Sequence, residues 1–406
     1  MRWQPPLPEC YETLTEDELT SRIAARRRAL GRDLLILGHH YQQDDVLRHV
    51  DLTGDSLKLS RLAATESRER GTKYIIFCGV HFMAETADIL TDQSVAVILP
   101  DLSAGCPMAD MAEYDDVVQA WQLIHEALRG CWNGRVIPIT YVNSSAAIKA
   151  FVGEHGGACC TSTNAQDVFS WALAGGTQPA RVDEQIKILF LPDQHLGRNT
   201  ASKLGFITEV DEAQGLGPSE TVVWDPKRPN GGLAAPQIQE ADIILWSGYC
   251  SVHMHFTPQQ IDSARQKFAA TGGINIIVHP ECRKEVVDQA DEVGSTEYII
   301  RHVEQAVPGT NWAVGTEVHL VNRLARRAAA RGVNVQMLGE RLCLCVMMYR
   351  INPPHLLWTL DNLAAGRVVN RITVRPEVKG PARLALQRML SQSGPPAPRP
   401  LSASQT

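Results

Sequence analysis

Three stretches of this chain run through one order of events, and that repetition constrains the fold more than any single motif. The first carries the apolar run "LLILGHHY", then a serine ahead of a helical stretch ("GDSLKLSRLA"), then "KYIIFCGVHFMAET", then "VAVILPDLSAGC". The second reads "RVIPITYVNSS", "CTSTNAQDVFSWAL", "KILFLPDQHLG" and "DIILWSGYCSVH"; the third reads "INIIVHPEC", "GSTEYIIRHV", "NWAVGTEVHLV" and "NVQMLGERLCLC". Short β-branched runs that alternate with helical stretches predict an α/β fold with parallel strands. In each stretch polar residues come just after an apolar strand, and the last strand is expected to end in a cysteine. Tyr41 and Cys106 are 65 residues apart, and His279 and Cys345 are 66 apart. Tyr141 and Cys250 are 109 apart, with extra length at "GEHGG" and across 205–238. A serine or threonine recurs 17, 19 and 16 residues after His39, Asn143 and His279. Self-similarity of this kind predicts one supersecondary unit used three times.

The repeat has a chemical consequence. Ligands of open α/β sheets bind beyond the carboxyl ends of the strands. Three such layers facing one axis would gather three strand ends, three helix starts and three cysteines. His39, Tyr41, Tyr141, Asn143, His253, His279 and Glu281 lie at expected strand ends, and these types move protons and bind carboxylates. Ser56, Ser162, Ser295 and Thr296 lie where helices are expected to begin. They either cap those helices or help the free backbone N–H groups there to bind anions. Cys106, Cys250 and Cys345 together would hold a metal centre one protein ligand short, with a coordination position open for Lewis-acid chemistry. From spacing alone the cysteines stay open, because Cys78, Cys159, Cys160 and Cys282 also follow apolar runs and a cytosolic cysteine is often a small core hydrophobe.

Composition narrows the class. The 406 residues are 44% hydrophobic and 21% charged, an ordinary globular balance. A net charge of −6 implies no broad basic field, which argues against nucleic acid as partner. Runs such as "KYIIFCGV" are too short to span a bilayer. The start "MRWQPPLPEC" has no apolar signal-like core, so a cytoplasmic location is expected. Ten cysteines without a CxxC pair of pairs read as core residues plus a dispersed metal or catalytic set. Residues 11–30 are expected to form an amphipathic helix with an acidic start and a basic end.

The motifs together resemble the quinolinate synthases. The resemblance runs from about residue 34 to 391 through "GHHYQ", "GDSLKLS", "FCGVHFMAETADIL", "PDLSAGCPMADM", "YVNSSAAIKA", "CTSTNA", "LPDQHLGRNTA", "LWSGYCSVH", "VHPEC", "GSTEYI", "GTEVHLVNRL" and "CVMMYRI". It implies three pseudo-symmetric three-layer αβα domains with short parallel sheets around a central active site. It implies a [4Fe–4S] cluster on Cys106, Cys250 and Cys345, with one iron open to substrate, and makes Cys343 an extra thiol nearby. The activity implied is condensation of iminoaspartate with dihydroxyacetone phosphate to quinolinate, phosphate and water, a transferase step of NAD biosynthesis. The resemblance gives catalytic roles to Glu281, Tyr41, His39, Tyr141 and His253. It gives substrate-binding roles to His39, Ser56, Tyr141, Asn143, Ser162, His279, Glu281, Ser295 and Thr296, with Glu317 at the margin of the set. It also implies an L-aspartate oxidase or dehydrogenase as the source of iminoaspartate. Three departures stand out: Met254 where the family usually has Glu, Met347 where it has Asn, and His40 between His39 and Tyr41. The expected segments are a helical start (1–33), three αβα repeats (34–113, 114–255, 256–351), a helical segment packing back (352–391) and a disordered tail (392–406).

Two rival classes follow from the same cysteines. One is a zinc lyase or hydrolase, which would carry no sulfide. The other is a non-enzymatic iron–sulfur sensor, which leaves the strand-end His, Tyr and Glu residues without a role.

Overall fold

The apolar runs become short parallel strands whose order repeats three times. The computed structural model describes residues 3–130, 132–340 and 343–392. Most of the tail expected to be disordered, from residue 393 on, lies outside these. Two units result. Among the described residues, one comprises 3–106, His255–His279 and Ala290–Pro376; the other comprises Pro107–Met254, Pro280–Gln289 and 377–392.

The first unit holds two sheets. One is built from β1 (Leu34–His39), β2 (Leu52–Gly54), β3 (Tyr74–Cys78) and β4 (Ala96–Ile98) in the order β4-β3-β1-β2. All three pairings are parallel. The second unit has β5 (Gly134–Tyr141), β6 (Ala158–Cys160), β7 (Gln185–Leu191), β8 (Thr221–Trp224) and β9 (Ile243–Trp246), ordered β6-β5-β7-β9-β8 and also parallel. The other sheet of the first unit has β10 (Asn275–Val278), β11 (Glu292–Val293), β12 (Asn311–Gly315) and β13 (Asn334–Met337), ordered β11-β10-β12-β13. With β8 set aside, the three sheets share one strand order. β8, with the short helices Glu209–Ala213 and Ala235–Glu240, accounts for the extra length at 205–238. The short antiparallel β14 (Arg371–Ile372) is added to the edge at β4. The fold class is therefore α/β with three short, mainly parallel sheets, as the repeat predicts.

Burial explains the composition of the strands. Every residue of β1, β4 and β9 is buried, so these strands read as continuous apolar runs rather than alternating ones. Leu35, Ile36 and Leu37 are fully buried, each contributing roughly 1.5–3 kcal/mol. In the third sheet Ile277 and Val314 pack with Ile299, Val303, Leu320 and Leu324 from its flanking helices. Asp51 and Asp291 do one job in the two sheets of the first unit: each accepts a strand N–H, from Ile36 and Ile276 respectively, at 2.7 Å.

The N-terminal helix starts later than expected. It spans Glu16–Leu30, because Thr15 caps it and Glu18 returns the bond to Thr15 N–H, a reciprocal capping box. A separate turn, Glu9–Glu12, precedes it. The helix is tied to Pro353–Ala364 by Asp361, which receives Arg22, Arg26 and the Tyr11 hydroxyl. Among the described residues no helix is long and apolar enough to cross a membrane.

Candidate active site

In the first unit, β1 delivers His39 and, two residues on, Tyr41. The Tyr41 N–H donates to His39 Nδ1 at 3.1 Å, which leaves the ring proton on Nε2. Burial, with the charges of His40, His279 and Arg323 adding to it, pushes the His39 pKa down to about 3. The ring is therefore neutral at pH 7 and offers an Nε2–H donor. The Tyr41 hydroxyl lies 2.8 Å from Thr316 Oγ1 and accepts from Thr296 Oγ1 at 3.1 Å. Arg323 donates to the carbonyls of His40 and Gln42, on either side of Tyr41, and to Asp44. His279 follows β10, buried, with its N–H donating to Gly315 O at 3.1 Å.

The hydroxyl residues repeat in register. Ser56, Ser162 and Ser295 each come two residues after the last residue of β2, β6 and β11. Capping accounts for Ser295, whose Oγ accepts from Tyr298 N–H. It does not account for Ser56, because Asp55 caps that helix through Lys58 N–H. Nor does it account for Ser162, which lies in a turn ahead of the helix Ala165–Leu173 rather than at its start. Asn164 closes that turn by accepting from the Thr161 N–H and hydroxyl. Thr296 is the first residue of its helix.

In the second unit, Tyr141 ends β5 and Asn143 follows two residues later. Asn143 Oδ1 is buried with no hydrogen-bond partner, the state expected of a group whose partner is a ligand. Glu281 and His253 form a buried pair, 3% and 1% exposed, with Glu281 Oε2 2.7 Å from His253 Nδ1. Donor atoms of Cys250, His253 and Glu281 lie within 4.8 Å of one another. The 2.7 Å separation is closer than two ligands of one zinc ion would stand. Ligands ~2.0–2.1 Å from a tetrahedral zinc lie roughly 3.3 Å apart. Asn199 Nδ2 donates at 2.8 Å to Pro280 O and Cys282 O, so it straddles Glu281. Asp193 is fully buried; its Oδ1 accepts from His195 and Leu196 N–H at 2.8 Å and its Oδ2 from Cys250 N–H at 3.2 Å. Burial and the nearby Glu281 carboxylate raise the Asp193 pKa well above the usual carboxylate range.

Nine cysteines are described, and exposure sorts them. Five are buried, Cys10 is exposed, and only Cys106, Cys250 and Cys345 are half-buried. Burial pushes the thiols of Cys78 and Cys159 up to about 12 and that of Cys343 up to about 11, which opposes the thiolate a metal needs. The three half-buried cysteines also share one backbone position. The first N–H of the helix after β3, β7 and β12 donates across to a loop carbonyl: His81 to Ala104 O at 2.8 Å, Gln194 to Gly248 O at 2.9 Å, and Val318 to Cys343 O at 3.1 Å. Two residues beyond each carbonyl come Cys106, Cys250 and Cys345. The expectation that these cysteines end strands is corrected, since β4, β9 and β13 stop at Ile98, Trp246 and Met337. Each cysteine sits in the following loop, which bonds to a helix start through the carbonyl two residues before it.

Asp193, Asn199, Thr316 and Arg323 hold site residues yet escaped sequence reasoning. The motifs "LPDQHLGRNTA" and "GTEVHLVNRL" contain all four, but what they do is bond to backbone or hydroxyl groups far along the chain, which residue type does not reveal. Glu317 is fully buried and caps the helix Val318–Ala329 through His319 and Leu320 N–H. Burial pushes its pKa up to about 8, against the backbone N–H groups of Leu320, His319 and Cys345 that favour the charged form.

Comparison with known proteins gives the family. Residues 21–391 match the family model described as Quinolinate synthetase A protein. The quinolinate synthase of Acidobacterium capsulatum is 51% identical over 384 residues, 95% of each chain. That of Streptomyces coelicolor is 48% identical over 378 residues, 93% of this chain and 89% of its own. That of Anoxybacillus flavithermus is 47% identical over 393 residues, 97% and 98% of the two chains. With family model and relatives spanning nearly the whole length, the chain belongs to the quinolinate synthase family and is an enzyme.

Proposed function

We propose that the chain condenses iminoaspartate with dihydroxyacetone phosphate to quinolinate, phosphate and water, in the cytoplasm, as a step of NAD biosynthesis. The observation that carries the reading is the cysteine set: the only half-buried thiols among the described residues share one repeated loop position. An accessible three-thiol donor set suits a [4Fe–4S] cluster with one iron open. Cys106, Cys250 and Cys345 would hold it, and it would supply a Lewis acid for the closing dehydration. The segments 34–113, 114–255 and 256–351 are proposed as the three αβα domains that carry these ligands.

The chain's own residues supply the rest. Glu281, held by His253, takes a proton from substrate carbon during isomerisation and returns it. Neutral His39 donates from Nε2, and Tyr41, fixed between Thr296 and Thr316, orients the three-carbon substrate. Tyr141 and Asn143 face the other substrate, with Asn143 Oδ1 offering an unsatisfied acceptor. Ser56, Ser162, Ser295, Thr296 and His279 bind carboxylate and phosphate oxygens. An L-aspartate oxidase or dehydrogenase would supply the short-lived imine.

The test is quinolinate formation by anoxically prepared protein given dihydroxyacetone phosphate and freshly generated iminoaspartate. Product that requires both substrates, with phosphate released in equal amount, supports the assignment. Phosphate release without quinolinate refutes it.

A further inference from the structure

We infer that two helices, Gln194–Lys203 and Val318–Ala329, each position the site with a pair of side chains at the same two positions, the N-cap and six residues on. The pairs are Asp193 with Asn199 and Glu317 with Arg323. The inference rests on the cysteine-ligand reading above and goes beyond it by giving roles to residues outside the ligand and substrate sets.

The argument is one of position. Asp193 and Glu317 are the N-cap residues of the helices that follow β7 and β12, equivalent strands in the shared order. Both are fully buried acids, and both spend acceptor capacity on the first turn of their own helix. Asp193 also accepts from the backbone N–H of a proposed ligand, Cys250; Glu317 keeps Oε1 buried without a hydrogen bond, and the Cys345 N–H is among the groups that favour its charged form. Capping alone would be satisfied by a serine or threonine. A carboxylate has acceptor positions to spare for an amide from a second loop.

Six residues further along, each helix presents a donor. Asn199 donates to the carbonyls of Pro280 and Cys282, which bracket Glu281. Arg323 donates to the carbonyls of His40 and Gln42, which bracket Tyr41. Each helix thus fixes one cysteine loop with its cap and one catalytic turn with its second donor. Because a bracketed residue is held by both neighbouring carbonyls, its side chain is aimed by the backbone. In the first repeat Val80 occupies the cap position and bonds nothing through its side chain, so the arrangement belongs to the second and third repeats. These four are positioning residues; none is proposed to touch substrate.

The test is deuterium exchange on the full-length, anoxically reconstituted chain, read peptide by peptide. Asp193→Asn turns an acceptor facing the Cys250 N–H into a donor. It should speed exchange at least tenfold in the peptide over 248–254 and leave 343–349 unchanged. Glu317→Gln should do the reverse. Each should also speed iron loss to a chelator at least tenfold. Asn199→Ala should keep iron and sulfide at wild-type content while turnover falls at least tenfold. Arg388→Met is the control: it removes another two-carbonyl clamp, on Gly153 and Gly157, and should leave both peptides and turnover unchanged. Exchange that rises equally in both peptides, or in neither, overturns the inference, because general loosening would not respect the pairing. If one acid variant fails to fold, the other carries the same test. A wild-type chain that takes up no iron overturns the ligand reading beneath it, whatever the exchange shows.

Discussion

Replacing Glu281 by glutamine separates catalysis from stability. The substitution keeps the shape, and glutamine still offers an oxygen to His253 Nδ1, which lies 2.7 Å from the native carboxylate. What is lost is the basic oxygen. Removing a general base costs about 10²- to 10⁴-fold in rate, or ~2.7–5.4 kcal/mol of barrier at ~1.36 kcal/mol per tenfold. The fold should not suffer. Glu281 is 3% exposed and its charge helps to raise the pKa of buried Asp193, so a neutral residue there relieves repulsion between two carboxylates. The expected Glu281→Gln protein has wild-type iron and sulfide, a melting temperature equal to or above wild type, and turnover reduced at least a hundredfold. Quinolinate formation at saturating substrates, melting curves and metal analysis on one preparation make the comparison. Unchanged turnover refutes the base assignment, and a melting temperature several degrees lower refutes the electrostatic reasoning.

Three further outcomes follow from the same geometry. Cys345→Ser should lose the cluster and Cys343→Ser keep it, read as visible absorption and iron per chain, because Cys343 is the buried thiol with the raised pKa. Gly248→Ala should yield folded protein, by circular dichroism, with less than half the wild-type iron. A Cβ there would lie 2.3 Å from Pro192 O and push the Cys250 loop aside. His39 sets a pH dependence. Its native pKa of about 3 is below the unfolded value near 6.5, so the unfolded chain takes up the proton first as pH falls. Its contribution is intact above pH 6.5 and is lost progressively from there down to about 3. The loss is ~1.4 kcal/mol at pH 5.5. His39→Asn, which can still accept the Tyr41 N–H, should therefore lose ~1.4 kcal/mol less than wild type between pH 7.5 and 5.5 in urea unfolding; equal losses contradict the assignment.

Much of this fold was legible because parallel strands buried on both faces leave continuous apolar runs, and three such sets recur in one order. The serines were legible for the same reason: Ser56, Ser162 and Ser295 keep their offset from equivalent strands. The place of the cysteines was misread. A loop that crosses from a strand to a helix start carries no periodic signal, so Cys106 and Cys345, each eight residues past its strand, looked like strand ends. Capping was equally hidden. Asp55, not Ser56, caps its helix, and Thr15 delays the first helix to Glu16, because neighbouring Ser, Thr and Asp residues compete for the same N–H. Asp193 and Asn199 were out of reach, since their partners are main-chain atoms and main chain is the same at every position.

Iron and acid-labile sulfide per chain, measured on protein purified without oxygen, test the central claim most directly. The account predicts about four of each, falling together in Cys106→Ser, Cys250→Ser and Cys345→Ser. Zinc without sulfide, or no metal after anoxic reconstitution, would contradict it.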